Sequence, residues 1–425
     1  MLAFIVEKLE WSDESLGSIE TPNGLLRLTR GLGSGLCVRA GDPPGTLWAI
    51  GDRGPNLKVG PAIDLYGLSH LAPLRDIDGA KIMPRPDIGP AISELRIDGD
   101  TVRLMRTFAL RDSHGRAISG LPIPGGASEE IEPVFAIDGA TLGADPSGAD
   151  TEAIAALKDG SFWIGDEYGP SLLKVAPDGH IIQRWVPKGL EAFLKDARYR
   201  VDAVLPKIAA RRRLNRGFEA LAISPDERWI YVVFQSALAH PDDAAHERGR
   251  TVRIWKLDAS SGKVAAQYLY PLDKPATFAR DGSEAKWSDV KVCEAVALAH
   301  DRLLLLERIS KTAKLYIVNL SPQFETPAAH LKARTRPTLE EMDSEALHSN
   351  GVRIAAKTLV FTTDEAPEID ADLEGMAVLS PHEIVLVNDN DFGVEGAQTN
   401  FWRIRFEAPV FASESQKRPA RKRSR

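Results

Sequence analysis

A single pattern, repeated four times, constrains this chain more than any other feature of its sequence. An acid opens a short apolar run, a turn follows, a second apolar run returns, and a polar or acidic end closes the unit. The copies are Asp150-TEAIAALKDGSFWIGDEYGP, Gly217-FEALAISPDERWIYVVFQS, Val292-CEAVALAHDRLLLLERIS and Asp372-LEGMAVLSPHEIVLVNDND. A fifth, weaker copy, Ser34-GLCVRAGDPPGTLWAIGDRGPN, carries Gly35 where the others carry Glu. Apolar runs of this length separated by Lys-Asp-Gly or Ser-Pro-Asp turns are β-hairpins. Further hairpins follow the copies, such as LLKVAPDGHIIQRWV from Leu172 and VRIWKLDASSGKVAAQYLY from Val252. About four strands per repeat is the blade unit of a β-propeller.

The expected fold is therefore all-β, a single propeller domain over residues 1–408. Five copies are visible, and further strands are expected between Gly35 and Glu152 and around KTLVFTTDE. Six blades is the preferred count, with five or seven left open. The N-terminal FIVEKLEW is expected to pair with the C-terminal FWRIRFE and close the ring. Residues 189–213 carry the best 3.6-residue periodicity and predict a short helical insertion. The Gly- and Pro-rich stretch from Gly120 to Pro133 predicts a lid over one face.

Charge and cysteine usage exclude several classes. The formal net charge is −7, yet the last nine residues, Lys417 to Arg425, hold six basic side chains and no acid. Residues 409–425 thus predict a disordered basic tail on an acidic body, and an acidic body argues against nucleic-acid binding by the folded part. Cys37 and Cys293 are the only cysteines, each inside an apolar run, and read as free buried thiols. No window is long and apolar enough for a membrane span. The N-terminus lacks the basic and apolar regions of a signal peptide, so a cytoplasmic location is the expectation. Oligomeric state is not legible.

The repeated acids carry the functional expectation. Inner strands of a propeller line its axis, so Glu152, Glu219, Glu294 and Glu374 are expected to converge there. Like charges so close cannot all stay ionised without a counter-charge, and oxygen-only ligands select Ca²⁺ or another hard divalent cation. A second set lies near the end of the returning strand: Asp52, Asp166, Glu167, Glu307, Asp389 and Asp391. Of these, Asp166, Glu167 and Asp389 are candidate general bases, and Arg53 a candidate stabiliser of negative charge. Asp52, Arg53, Tyr168, Arg216 and Arg308 are candidate contacts to an anionic or ester substrate, with the gap near Gly35, Asp52 and Arg53 as its entry. The same acids equally suit a structural role, capping turns. No GxSxG, P-loop, GxGxxG, HExxH or EF-hand pattern is present.

The set GLGSGL…GDRGPN, FWIGDEYGPSLL, RGFEALAISPD, EAVAL…LLLLER and LEGMAVL…VNDND resembles the "esterase-like activity of phytase" family over about Gly31 to Phe406. The resemblance implies a β-propeller and hydrolysis of ester or phosphoester bonds, and members of that family are often exported. The resulting expectation is a metal-assisted hydrolase of a small ester or phosphoester. A non-catalytic ligand- or partner-binding propeller stabilised by Ca²⁺, or a propeller lactonase, are the alternatives.

Overall fold

The computed structural model describes residues 2–125 and 132–412. Five sheets stand around one axis, each with four strands that run antiparallel from the axis outwards. Blade 1 comprises Gly35–Cys37, Thr46–Ile50, Ala91–Asp98 and Thr101–Ala109. Blade 2 comprises Thr151–Ala156, Phe162–Asp166, Ser171–Val175 and Ile181–Pro187, with Arg200–Leu205 added in parallel as a fifth strand. Blade 3 is Phe218–Ile223, Trp229–Phe234, Thr251–Asp258 and Val264–Pro271. Blade 4 is Lys291–Ala299, Arg302–Arg308, Ala313–Asn319 and Lys357–Thr362. Blade 5 is Leu373–Ser380, Glu383–Asn388 and Phe401–Phe406, completed by the N-terminal strand Phe4–Leu9. That closing pair is antiparallel, from Phe4 opposite Phe406 to Leu9 opposite Phe401, and joins the two chain ends as the sequence predicts.

Among the described residues the blades number five, one of the counts left open, in place of the preferred six. The long interval after Gly35 holds the outer strands of blade 1 and a side lobe, and KTLVFTTDE is the outer strand of blade 4. The helical insertion expected at 189–213 is also corrected. It contains the strand Arg200–Leu205, flanked by 3₁₀ turns at Glu191–Phe193 and Lys207–Arg211. Its Arg-Val-Asp-Ala-Val-Leu core carries two β-branched valines, and Pro206 removes the donor and the α conformation a continuing helix would need.

Burial explains why the middle strands read as continuous apolar runs. Each is covered on both faces, so neither parity can be polar. Leu303 and Leu305 of blade 4 pack with Tyr231, Val252 and Tyr268 of blade 3, whereas Leu304 and Leu306 pack with Met376, Leu386 and Trp402 of blade 5. Equivalent clusters fill the other three interfaces, and the one between blades 5 and 1 joins Leu36, Leu47 and Leu95 to Val385, Val387 and Phe401. Five interfaces of like composition close the circle.

The side lobe packs its own small core from Leu26, Leu28, Leu57, Val59, Leu71, Ile82 and Phe135. It is built from the hairpin Ser15–Thr21/Gly24–Thr29, the helix Val59–Asp64 and the short strands Leu57–Lys58, Lys81–Met83 and Val134–Ala136. Of the expected lid, residues 126–131 lie outside the described residues. The chain stays packed through Ala412, whose carbonyl accepts from Arg302 Nη1 at 2.7 Å, so the body extends past residue 408. The rest of the expected basic tail, residues 413–425, lies outside the described residues. Among the described residues no helix is long and apolar enough to cross a membrane.

Candidate functional site

The start of each inner strand decides which side chain reaches the axis. In blades 2 to 5 this strand carries a β-bulge against its neighbour, leaving one residue unpaired: Glu152, Glu219, Cys293 and Glu374. A bulge inserts one residue, bends the strand and re-aims its side chain. The sequence alignment of Glu294 with the other glutamates is therefore one residue off, and Cys293 holds their place. Glu294 is corrected from a ligand candidate to a structural clip. Its carboxyl accepts from Leu36 N of blade 1 and from its own neighbour Ala295 N, each at 2.9 Å, and does not line the cavity. In blade 1, Gly35 pairs with Ile50 as Ile154 pairs with Ile164. Counting back places Gly33, not Gly35, opposite the register of Glu152. Gly33 has φ 104°, and a Cβ there would collide with the Asn388 carbonyl, so this place in the ring has no side chain.

The second strands supply a companion ring. The residues one step beyond the bulge pairs are Arg53, Glu167, Gln235, Arg308 and Asp389, one from each blade. All members of the two rings except Cys293 and Arg308 line a polar cavity of about 120 Å³, together with Asp52, Lys81, Asn215, Arg216, Lys291 and Asp391. The side lobe contributes Lys81 and Asn56, joined by a 3.2 Å hydrogen bond.

Charge around this cavity is unevenly compensated. Arg53 is buried and both its terminal nitrogens are engaged: it pairs with Asp150 at 2.6 Å, with Glu132, and donates to Asn215 Oδ1, while its Nε has no partner. Asn215 reaches it from a left-handed backbone (φ 55°), a conformation that Asn tolerates. Arg308 is likewise spent, on Glu374, on Asp372 at 2.9 Å, on the Ile309 carbonyl at 2.8 Å and on Cys293 Sγ at 3.3 Å. The terminal nitrogens of both guanidinium groups are taken by the protein's own acceptors, which corrects the expectation that either offers its fork to a substrate.

The opposite holds for three glutamates. Glu152 is 7% exposed and has no hydrogen-bond partner among the described residues. Glu219 accepts from Gln235 through Oε1, and its Oε2 is buried without a partner. Glu167 accepts from Gly217 N through Oε1 at 3.1 Å, and its Oε2 is also buried and unpartnered. Gly217 has to be glycine here, since a Cβ would collide with the Glu167 backbone. Asp150, Glu152 and Glu167 each bring an oxygen within 4.8 Å of the others. Burial first, then Asp150, Glu219 and Glu167, push the Glu152 carboxyl well above the usual carboxylate range. Burial and the Glu167 charge likewise push Glu219 up.

The remaining candidates divide. Asp389 lies in the cavity, accepting from Ser34 Oγ at 3.3 Å and Asp391 N at 3.1 Å, and burial and Asp391 raise its carboxyl. Asp52 also faces the cavity; burial lifts it to about 7 although Arg53 opposes the shift. Asp166 is corrected from a catalytic base to a corner organiser. It is fully buried, accepts from Asp150 N at 2.8 Å and Tyr168 N at 3.2 Å, and pairs with Ser171 and Arg184. Tyr168 is corrected as well: its hydroxyl donates to the Gly120 carbonyl at 3.0 Å behind Arg53. Glu307 is bound to Lys357 at 2.7 Å and Tyr270 between blades 3 and 4, outside the cavity. Burial pushes the Cys293 thiol up to about 12. Sequence reasoning missed Lys291 and Asp150, which stand at the same step, two residues before the bulge, in blades 4 and 2.

The conserved-domain model for "Phytase-like: Esterase-like activity of phytase" matches residues 29–392. The chain belongs to this family. A secreted, uncharacterized protein of Arthroderma benhamiae is 28% identical over 263 residues, 55% of this chain and 48% of that one, so the chain spans about half the length of this curated relative. Solved structures match more distantly. The WD40 repeats of RRP9 align with a TM-score of 0.35 and 9% identity over 95% of this chain and 97% of that one. The PQQ-bound aldose sugar dehydrogenase of Streptomyces coelicolor aligns with a TM-score of 0.31 and 10% identity over 96% and 99%. At such distances the five-sheet topology itself, not these neighbours, defines the architecture.

Proposed function

We propose that this member of the phytase-like family is a divalent-cation-assisted hydrolase of a small ester or phosphoester, acting at the polar mouth of the propeller. The observation that carries the reading is the trio Glu152, Glu167 and Glu219: Glu167 Oε2 and Glu219 Oε2 are buried without a partner, and Glu152 makes no hydrogen bond among the described residues. Leaving such atoms unsatisfied costs about 1–3 kcal/mol each or more. A hard divalent cation, Ca²⁺ above all, fits an all-oxygen donor set of this kind. Glu152, Glu167 and Glu219 would hold it, with Asp150 behind them fixed by Arg53. When bound, such an ion supplies Lewis-acid polarisation of the substrate oxygen and lowers the pKa of a water.

The chain's own groups do the rest. Arg53 positions Asp150 and keeps that corner rigid. Asp52, raised to about 7, is matched to proton transfer near neutral pH, and Asp389 lies on the same side of the cavity. The cavity's polar lining admits water and a polar head group rather than an apolar chain.

The test is a hydrolysis screen on p-nitrophenyl esters and p-nitrophenyl phosphate with and without EDTA. Chelator-sensitive turnover that falls roughly 100-fold or more in Glu152→Gln/Glu219→Gln is expected. Turnover indifferent to both EDTA and the double substitution would overturn the reading. Binding of Ca²⁺ with no turnover on any substrate would reassign the site to ligand binding.

A further inference from the structure

Four cationic side chains, Arg53, Lys81, Arg216 and Lys291, line the cavity, with Arg308 beside Lys291, and their partners separate them. Arg53 and Arg308 are consumed by carboxylates, and Lys81 donates to Asn56. Lys291 has neither a hydrogen bond nor an ion pair among the described residues. Arg216 makes no ion pair there, and its one hydrogen bond goes to the carbonyl of its own neighbour, Asn215, at 2.8 Å.

Lys291 occupies an informative place. It opens the inner strand of blade 4 opposite Arg308, two residues before the bulge. The same step is Asp150 in blade 2, Gly217 in blade 3 and Asp372 in blade 5. One sector of the ring has thus exchanged an acid for a lysine, and Arg216 reaches towards it from the start of blade 3. Arg308, burial and Arg216 together press the Lys291 ammonium below its ordinary range. Glu219 and Glu374 act on it through space, yet neither forms an ion pair with it. An unpaired cation on a confined polar surface is costly in the same way as the unpaired glutamates across the cavity. The two sets of uncompensated charge share one space without pairing to each other.

We propose that Lys291, assisted by Arg216, is the anion-recognising residue of the cavity and takes a phosphate or carboxylate oxyanion of the substrate opposite Glu152, Glu167 and Glu219. The assignment rests on the hydrolase reading for the word substrate, while the anion site stands on the unpaired cations alone. It makes Lys291 a specificity-determining residue. Substrates carrying a negative group next to the scissile bond are favoured, and their neutral esters are not. Arg53 and Arg308 contribute only the framework.

Calorimetric titration of the full chain with inorganic phosphate, and separately with acetate, tests this without any turnover. Wild type is expected to bind at least one of the two, and which one separates a phosphoryl from a carboxylate specificity. Lys291→Met should weaken that binding by about 10-fold or more, the loss of one charge-assisted contact. Arg216→Met should weaken it less, and Lys291→Arg should restore most of it. Ca²⁺ binding should be kept in all three variants. Absence of anion binding in wild type, or unchanged binding in Lys291→Met, would overturn the assignment. If Lys291→Met fails to fold, Lys291→Gln replaces it under the same criteria. Loss of hydrolysis with anion binding intact would count against the hydrolase reading alone.

Discussion

The two mouths of the propeller are made by the same inner strands and differ in almost everything else. At one mouth the strands begin with bulged Glu152, Glu219 and Glu374, and charged groups surround a cavity of about 120 Å³. Near their other ends Ala155, Ala222, Ala297 and Val378 surround a mainly apolar cavity of about 260 Å³ that also includes Cys37 and Leu221. Glu294 sits in the inner-strand ring away from the polar cavity, binding blade 4 to blade 1 through Leu36 N. The apolar mouth shows that the ring closes perfectly well on small apolar side chains. The partnerless glutamate oxygens at the polar mouth are therefore not a demand of the fold, which is the ground for the proposed cation.

The largest expected effect strikes the framework of the polar mouth. Arg53→Met removes the guanidinium while Asp150 and Glu132 stay buried, and should cost about 3–5 kcal/mol in denaturant unfolding. A loss below about 1 kcal/mol would mean that solvent, not Arg53, neutralises this corner. Glu294 sharpens the contrast from the middle of the ring. Glu294→Ala leaves the Leu36 and Ala295 N–H groups unpaired and should cost about 1–3 kcal/mol, without changing Ca²⁺ affinity. Glu294→Gln keeps one acceptor oxygen but turns its amide NH2 towards the other backbone N–H, and should cost less than Glu294→Ala. A Ca²⁺ affinity that drops in either variant would restore Glu294 to the site.

A smaller effect concerns pH. Asp52 faces Arg53 from its own strand, Lys81 from the side lobe, and Asp389 and Asp391 from blade 5. Its folded carboxyl at about 7 lies above the unfolded one, so the folded state binds the proton more tightly. Stability contributed by this group is full below the ordinary carboxylate range and is lost as pH rises to about 7. Metal-free protein should melt at progressively lower temperature across that window, and Asp52→Asn should flatten the slope. An identical slope in the variant would assign the effect to other groups.

Most of the fold was legible because it is repetitive. Hairpin turns, doubly buried middle strands such as Leu303–Leu306 and the pairing of the two chain ends all leave local patterns in the sequence. The blade count was not, because long insertions in blade 1 resemble missing blades. The site was half legible. Recurrent acids marked the right end of the inner strands, yet a bulge moves the register by one residue, and a one-residue slip exchanges the outward and inward faces. That slip is the whole difference between Glu294 and Cys293. Whether Arg53 or Arg308 is free depends on Glu132, Asp150, Asp372 and Glu374, which are distant in sequence and close only after folding.

The central claim is that Glu152, Glu167 and Glu219 wait for a divalent cation, and calorimetric titration of the metal-free chain with Ca²⁺ tests it most directly. One saturable site is predicted in wild type and in Val38→Ser at the apolar mouth, lost in Glu152→Gln/Glu219→Gln while that variant's fold is kept. Equal Ca²⁺ binding in the double variant, or none in wild type, would contradict it.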